Sequence, residues 1–162
     1  GRLTPNYYTH DGVIPRTRLP EALRRLQAIS RDYDVRIANV FHAGDGNLHP
    51  LVLYNEKDED ELQRTLQAGE AILRACVDLG GVLSGEHGIG LEKMNCMPWI
   101  FSEEDLDVMR AVRQVFNPKN LCNPGKMIPL HGRCRCGAVT GEPDEAAARD
   151  AVTDALKDAH VH

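Results

Sequence analysis

Two runs rich in Val, Ile, Leu, Phe and Tyr, residues 35–42 and 48–54, stand on either side of the short Gly-containing segment Ala43-Gly44-Asp45-Gly46-Asn47. Strand-forming runs separated by so few loop residues predict an antiparallel pair joined by a tight turn. Outside this pair the apolar spacing changes from strand to helix. Leu19, Leu23, Leu26 and Ile29 recur at three- and four-residue steps, and Pro20 suits a first helical turn, so residues 20–32 are expected to be helical. Leu62, Leu66, Ile72, Leu73 and Cys76 predict the longest helix over residues 58–79, stopped by Gly80-Gly81. Residues 82–84 predict a short strand. Ser102-Glu103-Glu104-Asp105 resembles a capping box with Asp in the place of Glu or Gln, and Leu106, Met109, Val112, Val115 and Phe116 continue it as a helix that Asn117-Pro118 ends. The pattern implies an α+β fold, with helices packed on a largely antiparallel sheet.

With 162 residues and 42% hydrophobic content the chain can bury one core. One principal domain is expected over residues 1–130. Residues 131–162 are polar and Ala-rich, and predict a mobile tail with a weak helix over residues 144–156. A net charge of -5, from 19 basic and 24 acidic residues, provides no basic footprint for nucleic acid or an anionic membrane surface. No run of about 18 apolar residues occurs, so no membrane insertion is expected. The opening Gly1-Arg2-Leu3-Thr4 has the character of no signal peptide, and the lack of an initiator Met suggests part of something longer. Cys76, Cys96 and Cys122 are scattered, as expected of reduced thiols in a cytoplasmic protein. Cys134-Arg135-Cys136 lacks the second pair that a four-ligand zinc site needs.

The chemistry is concentrated in two segments, His42-Ala43-Gly44-Asp45-Gly46-Asn47-Leu48-His49 and Gly85-Glu86-His87-Gly88-Ile89-Gly90. A turn between paired strands brings flanking side chains close, so His42 and His49 can chelate one ion. Glu86 from a second loop would complete a two-imidazole, one-carboxylate set with coordination positions left open for substrate or water. Such a set accepts Zn, Fe, Mn or Co. His87 cannot easily bind the same ion as its neighbour and is free to act as a base beside a Lewis acid. Asn47 and Asp45 would order the loop or contact the substrate, and Arg16 could fork onto a substrate carboxylate. Asn123-Pro124-Gly125-Lys126 reads as a turn first and a cofactor contact second. The same His, His and Glu could also serve a stand-alone metallohydrolase with a metal-bound water as nucleophile.

Together with Pro5-Asn6-Tyr7-Tyr8, Asp11-Gly12, Ile14-Pro15-Arg16 and Val40-Phe41, these motifs resemble the C-terminal domain of FAD-linked 2-hydroxyacid oxidases and dehydrogenases, in order over residues 5–129. The resemblance implies a ferredoxin-like cap domain, present in part, that supplies metal ligands and base while an N-terminal domain binds FAD. It implies His42, His49 and Glu86 as ligands of one divalent metal, His87 as the base and Asn47 at the substrate, while Arg16 at the substrate and Asn123, Gly125 and Lys126 at the cofactor are readings of the residues themselves. The implied substrate is a small 2-hydroxy acid, glycolate, with D-lactate or another D-2-hydroxy acid as the alternative. Implied partners are the chain's own N-terminal FAD domain, a second flavin-domain subunit and an iron-sulfur subunit, which would place the protein in the cytoplasm or at the inner face of the membrane. Alone, the chain is expected to be a folded cap without oxidase activity. A truncated, non-catalytic interaction domain is the remaining alternative.

Overall fold

The computed structural model describes residues 4–129. The tail expected over residues 131–162, with its weak helix and its two cysteines, lies outside the described residues. Two compact units divide the chain, Gly1–Gly88 and Ile89–His162. In the first, the strands β1 (Asn6–Thr9) and β2 (Gly12–Val13) precede a 3-10 turn, Arg16–Arg18, and the helix α1 (Leu19–Asp32). The strands β3 (Arg36–His42) and β4 (Asn47–Tyr54) and the helix α2 (Glu59–Asp78) follow.

β4 is the centre of the sheet. β3 pairs along its whole length on one edge, from Arg36↔Leu53 to His42↔Asn47, while β1 and β2 share the other edge, through Asn6↔Tyr54 to Thr9↔Leu51 and then Gly12↔Leu48 and Val13↔Asn47. Every pairing is antiparallel. α1 packs on β3, α2 packs on β4, and the two helices pack on each other. Val52, Ala68 and Ile72 are completely buried, and Ile14, Ala22, Leu48, Cys76 and Leu79 form a core cluster. The expected α+β architecture, helices on an antiparallel sheet, is therefore what the chain adopts. No helix among the described residues is long and apolar enough to cross a membrane. Cys76 and Cys96 are buried, and Cys122 is exposed.

Local signals explain the element ends. The Asp58 side chain caps α2 by accepting from the Glu61 amide at 3.0 Å, and Glu59, Asp60 and Glu61 in the first turn suit the positive end of the helix dipole. At the other end Gly80 adopts φ +79, and the Gly81 amide donates back to the Cys76 carbonyl at 2.9 Å. The chain then meets β2 through a single bridge, Val13↔Val82. This corrects the strand expected over residues 82–84. Beyond Ser84 the successive amides of Gly85, Glu86 and His87 turn to the Asp11 carboxylate, so no ladder can continue. The short strands β1 and β2 were not foreseen either, because residues 6–13 carry too few apolar residues to show a period.

In the second unit a 3-10 segment, Met94–Trp99, precedes α3 (Glu103–Phe116). The capping box is complete: the Asp105 amide donates to Ser102 Oγ at 3.2 Å, and the Ser102 amide donates to Asp105 Oδ2 at 2.9 Å. The expected helical period is present, but of its apolar residues only Leu106 is buried, whereas Val112, Val115 and Phe116 are exposed. Arg113 donates to the carbonyls of Cys122 and Asn123, and Arg110 donates to that of Pro129 at 2.8 Å, so α3 holds the segment that follows it.

The turn between β3 and β4 places a specific demand on one glycine. Gly46 has φ +76, and a Cβ there would overlap the Ile14 carbonyl oxygen, whereas a Cβ at Gly44 would meet nothing. Gly46→Ala is expected to lower unfolding free energy by at least about 2 kcal/mol, and Gly44→Ala to change it by less than about 0.5 kcal/mol. Paired urea denaturation curves check this, and equal costs at the two positions would refute it.

Candidate functional site

Strand register places the first two histidines. His42 pairs with Asn47 and His49 with Val40, so the two are a diagonal pair on one face of the sheet. Their rings are 5.2 Å apart, edge to face. The turn that joins them is closed by the Asp45 and Gly46 amides, both donating to the His42 carbonyl at 3.0 Å. Gly46 in turn accepts from the Ile14 amide at 3.0 Å, which ties the turn to the segment after β2.

Glu86 and His87 reach the same place from the loop after the Val13↔Val82 bridge. One atom, Glu86 Oε1, is the meeting point: His49 Nε2 lies 3.1 Å from it, His87 Nε2 3.7 Å and His42 Nε2 3.8 Å. The His49 and His87 rings stack at 5.0 Å. His49 Nδ1 faces the His10 carbonyl at 3.2 Å, and a proton held on Nδ1 donates there, leaving the Nε2 lone pair directed toward Glu86. Three imidazole nitrogens around one carboxylate oxygen form a donor set suited to a borderline divalent cation. The His49 side chain is 10% exposed, while those of His42, Glu86 and His87 are 57%, 53% and 47% exposed, so the cluster has a rigid floor and an open rim.

All four residues predicted for the metal and the base are therefore brought together. One difference of membership exists. The side chains with donor atoms mutually within 4.8 Å are Asp11, His49, Glu86 and His87, which leaves out His42 and includes Asp11. Asp11 Oδ2 accepts from four donors, Ser84 Oγ at 2.7 Å and the amides of Gly85, Glu86 and His87 at 3.0, 3.0 and 2.8 Å. Asp11 was not among the candidate site residues read from the sequence. Asp11-Gly12 was noticed as a motif, but nothing in its local spacing connects it with residues more than 70 positions later.

Asn47 opens β4 as a buried residue, and its Oδ1 has no hydrogen-bond partner among the described residues. Its amide sits so close to Gly85 that a Cβ there would lie 2.8 Å from Nδ2, so Gly85 is the residue that lets the two loops approach. Arg16 is exposed and donates to the Gly44 carbonyl at 3.3 Å, which holds its guanidinium beside the turn. Asn123, Gly125 and Lys126 belong to the second unit, where Asn123 and Gly125 take φ of 45 and +72 and the Lys126 amide donates to the Asn123 carbonyl at 3.3 Å. These three form a turn, as expected.

Residues 1–127 match the family described as FAD linked oxidases, C-terminal domain. The glycolate oxidase subunit GlcD of Escherichia coli (strain K12) is 48% identical over 134 residues, covering 83% of this chain and 27% of that protein. The protein of the same name from Bacillus subtilis (strain 168) is 36% identical over 134 residues, 83% of this chain and 28% of its own length. A D-lactate dehydrogenase of Archaeoglobus fulgidus is 38% identical over 121 residues, 73% of this chain and 26% of its own length. The chain spans about a quarter of the length of the relatives it matches.

Proposed function

The chain belongs to the FAD-linked oxidases, with the sequence of their C-terminal domain, and from that premise we propose that it is the substrate- and metal-binding part of an enzyme that oxidises glycolate to the 2-oxo acid. D-lactate is the alternative substrate, since a pocket for glycolate discriminates against one added methyl by only about 1–3 kcal/mol. The observation that carries the reading is the convergence of the His42, His49 and His87 Nε2 atoms on Glu86 Oε1. Packing alone creates no need for three imidazoles around a half-exposed carboxylate. A metal-bound water could use the same donors for hydrolysis, but membership of a flavin-linked oxidase family favours oxidation.

The donor set fits a divalent Zn, Fe, Mn or Co ion held by His42, His49 and Glu86. When bound, such an ion would polarise the hydroxyl and carboxylate of the acid, and FAD would supply the hydride acceptor. The chain's own residues do the rest. His87 takes the hydroxyl proton as hydride departs from Cα, so the acid loses one proton and one hydride and becomes the 2-oxo acid. The His87 ring stacks on that of His49 at 5.0 Å, with Nε2 3.7 Å from Glu86 Oε1. Asn47 offers a buried amide oxygen to the substrate, and Arg16, held at the turn by Gly44, offers its remaining N–H groups to the carboxylate. Asn123, Gly125 and Lys126 are assigned to the flavin. The GlcD relatives are named as subunits of a glycolate oxidase, which supports assembly with further subunits. A second flavin-domain subunit and an iron-sulfur subunit, in the cytoplasm or peripheral to the membrane, are the partners that the family resemblance implies.

Elemental analysis of the chain, purified without strong chelator, is expected to find about one equivalent of transition metal. Ala substitutions of His42, His49 or Glu86 are each expected to remove it; folded variants that keep the metal would show the ligand assignment to be wrong. His87→Ala is expected to keep the metal and to lower turnover of the flavin-bearing protein by about 10²–10⁴-fold. Normal turnover in that variant would remove His87 from the role of base. The chain by itself is expected to show no oxidation of glycolate.

A further inference from the structure

We propose that Asp11 is the positioning residue of this site: its buried carboxylate sets the shape of the loop that carries Glu86 and His87 and thereby the place of both side chains. The inference rests on the reading above only for what those side chains bind.

Asp11 is completely buried between β1 and β2. Its Oδ2 accepts from three consecutive amides, those of Gly85, Glu86 and His87, and from the Ser84 hydroxyl. Consecutive amides aimed at one point form a concavity for an anion. Here the anion is an internal carboxylate, supplied from a strand end 73 to 76 residues earlier in the chain. Charged acceptors form the shorter and stronger hydrogen bonds, and each of these four bonds constrains a different backbone or side-chain torsion of the loop. Ser84 closes the far end, because its hydroxyl donates to Asp11 and accepts from the Gly88 amide at 2.8 Å. The Gly85 amide also reaches the Asp11 backbone carbonyl at 3.2 Å. Residues 84–88 are therefore wrapped on one residue.

In this proposal Asp11 acts through the loop and not as a ligand. Its Oδ2 carries four donors, and its Oδ1 lies 3.9 Å from His49 Nδ1. An Asp11 oxygen also lies within 4.8 Å of donor atoms of Glu86 and His87, so direct ligation is the alternative that the Asp11→Asn variant tests. The carboxylate meets both parts of the site, holding the loop through Oδ2 and lying 3.9 Å through Oδ1 from the His49 Nδ1 that faces the His10 carbonyl.

Two measurements on the full 162-residue chain test this: Co²⁺ titration followed by the d–d absorption bands, and amide hydrogen exchange at Gly85, Glu86 and His87 without metal. Asp11→Ala is expected to weaken Co²⁺ binding by about 10–100-fold, to alter the bands and to expose the three amides to exchange. Asp11→Asn keeps an oxygen where the four donors point, so it is expected to restore protection and to bind Co²⁺ more nearly as the native chain does. Native affinity, bands and exchange in Asp11→Ala would overturn the proposal. An Asp11→Asn variant as defective in Co²⁺ binding as Asp11→Ala, with native exchange, would overturn it in favour of direct ligation. Failure of the native chain to bind Co²⁺ would count against the metal reading, and the exchange data would then decide the role of Asp11 alone. Should Asp11→Ala not fold, Ser84→Ala removes one donor and the Gly88 contact; faster exchange with weaker Co²⁺ binding supports the proposal, and no change in either overturns it.

Discussion

The register of β4 against its three neighbours is the constraint on which the site depends. Side chains alternate between faces with a period of two, so a slip of one residue at the β3–β4 turn would send His42 and His49 to opposite faces. That slip is opposed from three directions. The turn amides of Asp45 and Gly46 converge on the His42 carbonyl, the Ile14 amide holds Gly46 from outside, and β2 pins Asn47 and Leu48 from the other edge. Because Gly46 is left-handed and abuts Ile14, no residue with a side chain fits the turn as it stands. Half of the candidate site is thus a consequence of hairpin geometry, and it is the half with least freedom to move.

What the chain revealed as sequence, and what it concealed, follows the range of the interactions. The helices α1 and α2 were legible because their signals are local: Pro20 at the start, Asp58 as cap, Gly80-Gly81 at the end, and apolar residues on one side. The hairpin was legible for the same reason. In the site, His42 and His49 are joined by one turn, so their proximity could be argued from spacing. Glu86 and His87 were linked to them by residue type and by the resemblance of their motifs to a known family, since spacing alone could not say where a loop 37 residues beyond His49 would return. Asp11 was not legible as an organiser. Its role exists only once Val13 and Val82 have paired and the amides after Ser84 have been turned inward.

α3 illustrates the other kind of limit. Periodicity at Leu106, Met109, Val112, Val115 and Phe116 correctly predicts a helix, and the capping box correctly marks its start. Periodicity says nothing about whether a partner covers the apolar side, and Leu106 is the only one of these residues that is buried. The helix instead organises its own sequel through Arg110 and Arg113, whose guanidinium groups hold backbone carbonyls from Cys122 to Pro129. Arginine spacing on a helix does not announce such an interaction, because the acceptors are main-chain atoms that any residue would provide.

The exposure of the rim bears on how the proposed chemistry would be shared. His49 is held from behind and buried, while His42, Glu86 and His87 each leave about half their surface open. An ion pair or proton transfer in open water is screened by a dielectric near 80, and becomes several times stronger when the surroundings fall toward an effective value of about 20. Hydride transfer to a flavin also requires that water be kept from the reacting carbon. The open rim has the donors in place but supplies neither condition. In the proposed reading the cover is the flavin-bearing part of the protein, and the relatives have ample sequence for it, since this chain matches only about a quarter of their length. The Asp11 carboxylate fits that division of labour. By fixing the loop from within the first unit, it lets Glu86 and His87 stand ready on an exposed rim before anything closes over them, so that closure has only to exclude water and present the flavin, and need not also order the donors.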